Sequence, residues 1–175
     1  MKTIPSRASR ILLIAVVMLF TVGCDQLAKE LTRTFLSPLS TKSYLGGFLT
    51  LILTQNSGAF LSFGTRLPAL VKFLIFTVGA GAAILVGCWL LVFAKQLNRR
   101  VIVAGSLILA GALGNLIDRL LFSGRVTDFM VLAIGPVHTG VFNVADLAIM
   151  AGSFLLVLGR WRKPGRKNQL PRCER

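Results

Sequence analysis

Residues 111–146 read GALGNLIDRLLFSGRVTDFMVLAIGPVHTGVFNVAD and hold three of the chain's six acidic residues, Asp118, Asp128 and Asp146. They lie between and at the edges of two apolar runs, where a carboxylate is expensive to keep, and that makes each a functional candidate. Two carboxylates held close in a low-dielectric site cannot both ionise comfortably, so one pKa rises and the pair shares a proton. Such a site contains an acid and a base at once. That suits amide hydrolysis: one Asp takes a proton from an attacking water while the other protonates or hydrogen-bonds the carbonyl oxygen. Asp128, in Val126-Thr127-Asp128-Phe129, is a lone acid in an apolar setting, placed to fold back over the apolar run that carries Asp146. The sequence does not show that Asp128 and Asp146 touch. A Ser-His or Cys-His alternative has no support, because His138 is the only histidine and Cys24 is far from it in sequence.

These residues belong to a strongly apolar chain. Of 175 residues, 54% are hydrophobic and 15% charged, with mean hydropathy +0.75, whereas a soluble domain carries about 25% charged residues. The excess implies membrane spans. A formal net charge of +14 raises nucleic acid as a partner, but the basic residues cluster at the ends of apolar runs and not on one polar face, so none is expected. Cys24 and Cys88 lie in apolar segments and Cys173 in a basic tail, which reads as free thiols. No metal-ligand spacing appears, and His138 reads as a loop histidine.

Four apolar runs organise the chain as one domain, with spans at about 11–29, 68–94, 101–122 and 141–159. Loops occupy about 30–67 and 123–140, and a basic tail follows at 160–175. Phe48 to Thr54 is rich in β-formers and too short to span, so the first loop reads either as a small strand-containing cap or as an ordinary loop hairpin. Lys and Arg number three at the N-terminus, three at 95–100 and seven in the tail, thirteen of the chain's twenty. The positive-inside rule places all three segments in the cytoplasm and both larger loops outside.

Depth then brings the polar residues into register. Asp25 and Asn115 each lie fourteen residues into a helix that starts inside, about 21 Å up at 1.5 Å per residue. Asp146, in a helix that starts outside, lies about 7–8 Å below the outer edge, so in a core about 30 Å thick all three reach nearly one plane. Asn115 and Arg119 share a helix face, as do Asn143 and Asp146. Asp25 and Lys29, four apart, fit an ion pair at a helix end as well as a functional role. Asp118 beside Arg119 fits structural charge balance or direct function.

With Asp25-Gln26 and Lys29, Asn56-x-Gly58-Ala59-Phe60, Gly111-Ala112-x-Gly114-Asn115-x-x-Asp118-Arg119, Val126-x-Asp128-Phe129 and Phe142-Asn143-x-Ala145-Asp146 in order, the chain resembles the lipoprotein signal peptidase (signal peptidase II) family. The resemblance implies an all-α integral membrane protein with four transmembrane helices and a small extracytoplasmic β-containing cradle around residues 48–63. It implies an aspartic endopeptidase of the bacterial inner membrane that cuts prolipoproteins before the diacylglyceryl-modified cysteine. Asp128 and Asp146 are then the catalytic dyad. Asn56, Asn115, Arg119 and Asn143 match polar positions around the dyad, substrate and lipid, and Asp25 and Lys29 match a nearby motif. The family needs no metal or cofactor and is globomycin-sensitive. Expected partners are the lipid-modified substrate and membrane lipids, with the protein a monomer. One departure is NSGAFLSFG, where many members carry two alanines before the phenylalanine.

Three other classes compete, of which a purely structural membrane protein leaves the shared polar plane unexplained. A transporter or proton pathway also places carboxylates in a membrane, but it calls for acidic or His residues continuing across the bilayer. A basic start, an apolar run and Val22-Gly23-Cys24 also suggest a lipoprotein signal cleaved at Cys24. Against this, Thr21 stands where such signals usually carry Leu, and three more apolar runs follow.

Overall fold

The computed structural model describes residues 6–37, 40–58 and 64–161, with side chains described to residue 158. Ala59 and Phe60 of the Asn56 motif, the rest of AFLSF, Cys173 and the tail beyond residue 161 lie outside the described residues.

Helix α1 (Arg7–Phe35) opens where the Ser6 hydroxyl accepts from Ser9 N at 3.2 Å, a cap that satisfies one of the free N–H groups at a helix start. It exceeds the 11–29 run at both ends. Helix α2 (Ala69–Phe93) follows Pro68 and widens to π-helical bonding over Phe73–Gly79. Helix α3 (Arg99–Leu121) is capped by Asn98, whose side-chain oxygen accepts from Val101 N at 3.0 Å. Helix α4 (Val144–Trp161) begins three residues later than the apolar run, because Phe142 is still bonded to Met130 as extended chain. α1, α2 and α3 are long and apolar enough to cross a membrane, and Val144–Leu158 is a shorter apolar helix. Leu19, Phe20, Leu85 and Phe154 are exposed on the helix faces, as lipid contact requires and water does not favour.

Close approach sets the bundle. A side chain at Gly152 would meet the Ala104 carbonyl oxygen at 2.5 Å, and one at Gly111 would collide with the Ala145 carbonyl. Glycine at both places lets the backbones of α3 and α4 touch. Ile14, Leu91 and Ile102 close an apolar core between α1, α2 and α3, and Arg10 Nη1 ties α1 to the end of α2 by donating to Ala94 O at 2.7 Å.

The remaining chain forms one antiparallel sheet in the order β1 (Thr41–Tyr44), β2 (Leu49–Asn56), β3 (Val126–Ile134), β4 (Val137–His138). The first loop is therefore not an ordinary hairpin. β2 pairs with β3, a strand within the 123–140 segment expected as loop, through Thr54↔Asp128, Gln55↔Thr127 and Asn56↔Val126. The register shifts between Leu51 and Thr54.

Candidate active site

The polar plane forms where α1, α3, β3 and the start of α4 converge. Asp25, Lys29, Asn115, Asp118, Asp128, Asn143, Asp146 and Asn56 are all buried. Lys29 Nζ lies 2.8 Å from Asp25 Oδ2 and 3.4 Å from Asp118 Oδ2, and it donates to Asn115 Oδ1 at 3.1 Å. The Asp25–Lys29 pair is thus no mere helix-end contact: it faces α3. Asp25 Oδ1 accepts from Ala145 N of α4 at 2.8 Å, while Asp118 Oδ2 accepts from Thr127 N of β3 at 2.8 Å. One cation and two acids hold four elements together, α1, α3, α4 and β3.

Among the described residues Asp118 forms no ion pair with Arg119, although its charge acts on it at longer range. Adjacent residues on a helix point about 100° apart, and Arg119 turns to Gly58 O at 3.0 Å and Asn115 O at 3.4 Å, with its guanidinium 5.7 Å above the Phe76 ring.

Asp128 and Asp146 are held differently. Asp128 Oδ1 accepts from Asn143 Nδ2 at 2.6 Å and Oδ2 from Asn56 Nδ2 at 2.9 Å. Its setting is polar, not apolar. Asp146 Oδ1 accepts from Asn115 Nδ2 at 3.0 Å and Oδ2 from Asn143 N at 3.2 Å. Asp146 N in turn donates to Asn143 Oδ1 at 3.0 Å, so the two residues cap α4 reciprocally. Among the described residues neither Asp128 nor Asp146 makes an ion pair. Burial pushes the Asp128 carboxyl up to about 6; the Asn56 hydrogen bond opposes this and the nearby Asp146 charge adds to it.

Four residues enter this site that the sequence reading gave no role. Gln26 Nε2 donates to Asp25 Oδ2 at 3.0 Å and Gly114 O at 3.1 Å. Arg33, four residues after Lys29 and so on its face, donates to Thr127 Oγ1 at 2.8 Å and lies 4.6 Å over Phe122. Gln55 Nε2 reaches the same hydroxyl at 3.3 Å, and Thr127 O accepts from Asn143 Nδ2 at 3.3 Å. A cavity of about 760 Å³ runs along α4 from Asp146 past Leu147, Met150, Phe154 and Val157. Among the described residues no cluster of His, Cys, Asp or Glu is arranged to hold a metal ion.

Apolar helices that gather four buried aspartates beside a small sheet define a membrane protein with a carboxylate-centred polar site. The chain belongs to the signal peptidase II family: the family model described as Signal peptidase (SPase) II matches residues 17–162. It is 37% identical over 134 residues to the lipoprotein signal peptidase of Solibacter usitatus, covering 77% of this chain and 81% of that one. It is 38% identical over 144 residues to that of Hydrogenovibrio crunogenus, covering 80% of each. A bacterial membrane enzyme solved by the in meso method at 2.3 Å resolution superposes with a TM-score of 0.77 at 26% identity, over 90% of this chain and 93% of that one.

Proposed function

We propose that the protein is an intramembrane aspartic endopeptidase that removes signal peptides from prolipoproteins by cutting before the diacylglyceryl-modified cysteine, with Asp128 and Asp146 as its catalytic dyad. One observation carries the reading. Of four buried aspartates, Asp25 and Asp118 are ion-paired, both with Lys29 and Asp118 also with Arg33 at 3.9 Å, whereas among the described residues Asp128 and Asp146 are held by amides alone and bridged by Asn143. A pair without a counter-ion in a dry site retains a proton.

The chemistry follows from that shared proton. The ionised carboxylate takes a proton from water as the water oxygen attacks the scissile carbonyl carbon. The protonated partner hydrogen-bonds and then protonates the carbonyl oxygen, giving a tetrahedral diol. Collapse of the diol breaks the C–N bond, with a carboxyl delivering a proton to the leaving amine. Asn56, Asn115 and Asn143 keep the carboxylates in place, Asp25 and Lys29 stabilise the site, and Arg119 contacts substrate carbonyl or lipid ester oxygens.

In this reading four helices span the bacterial inner membrane, both termini and the basic tail are cytoplasmic, and the sheet forms an extracytoplasmic cradle over a site in the outer leaflet. Chain 1–175 acts as one domain and as a monomer, without metal or cofactor, and globomycin inhibits it. The cavity along α4 supports lateral entry of a signal helix, with the diacylglyceryl group left in the bilayer. The test is cleavage of a lipid-modified prolipoprotein by purified protein. Asp128→Asn and Asp146→Asn should fold, bind substrate and lose essentially all cleavage; normal cleavage by either sinks the dyad.

A further inference from the structure

Gln55 and Ser57 flank Asn56, and side chains alternate along a strand. Both line a cavity of about 690 Å³ between β2, α2 and the end of α3. Its charged lining is Lys72, Arg119 and Arg125, and no carboxylate joins them among the described residues. Phe73 and Leu120 supply an apolar wall, and Thr77 and Ser123 add hydroxyls. Lys72 and Arg125 have no carboxylate partner among the described residues, whereas Arg119 lies within reach of the Asp146, Asp128 and Asp118 charges. Lys72 Nζ reaches only the Thr65 carbonyl oxygen, at 3.3 Å, Arg119 Nε is buried without a hydrogen-bond partner, and the Arg125 side chain makes no hydrogen bond or ion pair among the described residues.

We propose that this cavity binds the phosphodiester headgroup of an anionic membrane lipid. The proposal rests on the membrane placement given above, which puts the cavity at the outer interface. There, basic residues run against the charge bias that orients the chain. Arg119 is already assigned to the proposed substrate, whose diacylglyceryl group carries no phosphate, so Lys72 and Arg125 in the same cavity are left unaccounted for. A zwitterionic lipid fits less well, because no acid is present to receive its ammonium. The hydroxyls and the Gln55 amide suit a polyol headgroup, and the Phe73–Leu120 wall suits the first acyl methylenes.

The test uses purified full-length protein in phosphatidylcholine nanodiscs doped with dioleoylphosphatidylglycerol, with retained lipid read by native mass spectrometry. Wild type should retain phosphatidylglycerol over phosphatidylcholine. The Lys72→Gln/Arg125→Gln double variant should lose roughly 20- to 30-fold of that preference, the product of two surface cations at the usual increment. The charge-conserving Lys72→Arg/Arg125→Lys variant should keep it. Equal preference in wild type and the Gln variant overturns the proposal, as does loss in the charge-conserving variant. A parallel arm titrates inorganic phosphate: binding that needs Lys72 and Arg125 while the lipid shows no preference marks a soluble-anion site and overturns the lipid assignment. Lipid retention is read without substrate, so failure of the protease reading shows separately, as absent prolipoprotein cleavage in the same nanodiscs.

Discussion

Asn143 and Asp146 cap α4 reciprocally, each backbone N–H donating to the other's side-chain oxygen at 3.2 and 3.0 Å. The Asn143 amide group also donates to Asp128 Oδ1 at 2.6 Å. The orientation of both carboxylates therefore depends on a helix cap. Asn143→Asp keeps the capping oxygen but turns the donor facing Asp128 into a like charge. It should destabilise by more than the roughly 1–3 kcal/mol of one lost buried hydrogen-bond partner, because Nδ2 also serves Asn115 and Thr127, while cleavage falls about 100-fold or more from displaced carboxylates. Thermal unfolding and cleavage measured on one preparation separate the two effects. Near-normal cleavage would show that the Asn143–Asp128 contact is dispensable.

Lys29 is the shared counter-ion of Asp25 and Asp118. Lys29→Met leaves two buried carboxylates without it, and removing one partner of a buried pair costs about 3–5 kcal/mol. The Lys29→Met/Asp118→Asn variant should recover part of that loss. A melting temperature for Lys29→Met equal to wild type in detergent would mean that the pair contributes nothing.

Asp128 is raised from an ordinary 3.8 to about 6, chiefly by burial. The folded protein then binds a proton more tightly than the unfolded chain. Its stabilising contribution is full below the unfolded value and is lost as pH rises through about 6. Activity needs one proton on the pair, so its alkaline limb should fall at or above about pH 6. Asp128→Asn should flatten the stability change across that window. A wild-type rate that declines only below pH 5 would contradict the shared-proton scheme.

Gly114 lies against Asp25: an added Cβ would come within 2.6 Å of Asp25 Oδ2. Gly114→Ala should push Asp25 off Ala145 N and destabilise by about 1–3 kcal/mol, the range for overpacking. Gly23→Ala, with open space around its Cβ, is the control and should melt near wild type. Equal melting of both variants would show that α1 simply shifts to make room.

Much of this was legible in the sequence for a physical reason. The shared depth of Asp25, Asn115 and Asp146 follows from helix rise and charge orientation alone, and the structure joins all three positions through Lys29, Asn115 and the start of α4. β3 was missed because VTDFMVLAI follows an apolar helix and carries an acid, which disguises its β-branched content. Adjacency in sequence offers Arg119 as a partner for Asp118, but neighbours on a helix diverge by about 100°, and Asp118 pairs with Lys29 and Arg33. Asn143-x-x-Asp146 carried a capping-box signature that spacing alone revealed only as a shared face. Gln26 stood in the Asp25-Gln26 motif without a role of its own, and Arg33 had no signal beyond its place on α1, since both roles depend on which elements pack there.

The Asp25–Lys29 contact bears on how the chain enters the bilayer. Synthesis runs from the N-terminus, so α1 meets lipid before α3 exists to supply Asn115 and Asp118. A helix with one unmatched charge would resist integration at that moment. Within residues 11–29 the charged side chains are Asp25 and Lys29, one turn apart with Lys29 Nζ 2.8 Å from Asp25 Oδ2, so the apolar stretch of α1 carries no net charge. Fused alone to a topology reporter, α1 carrying Lys29→Met should integrate less efficiently than wild-type α1; equal integration would leave the contact a feature of the finished protein only.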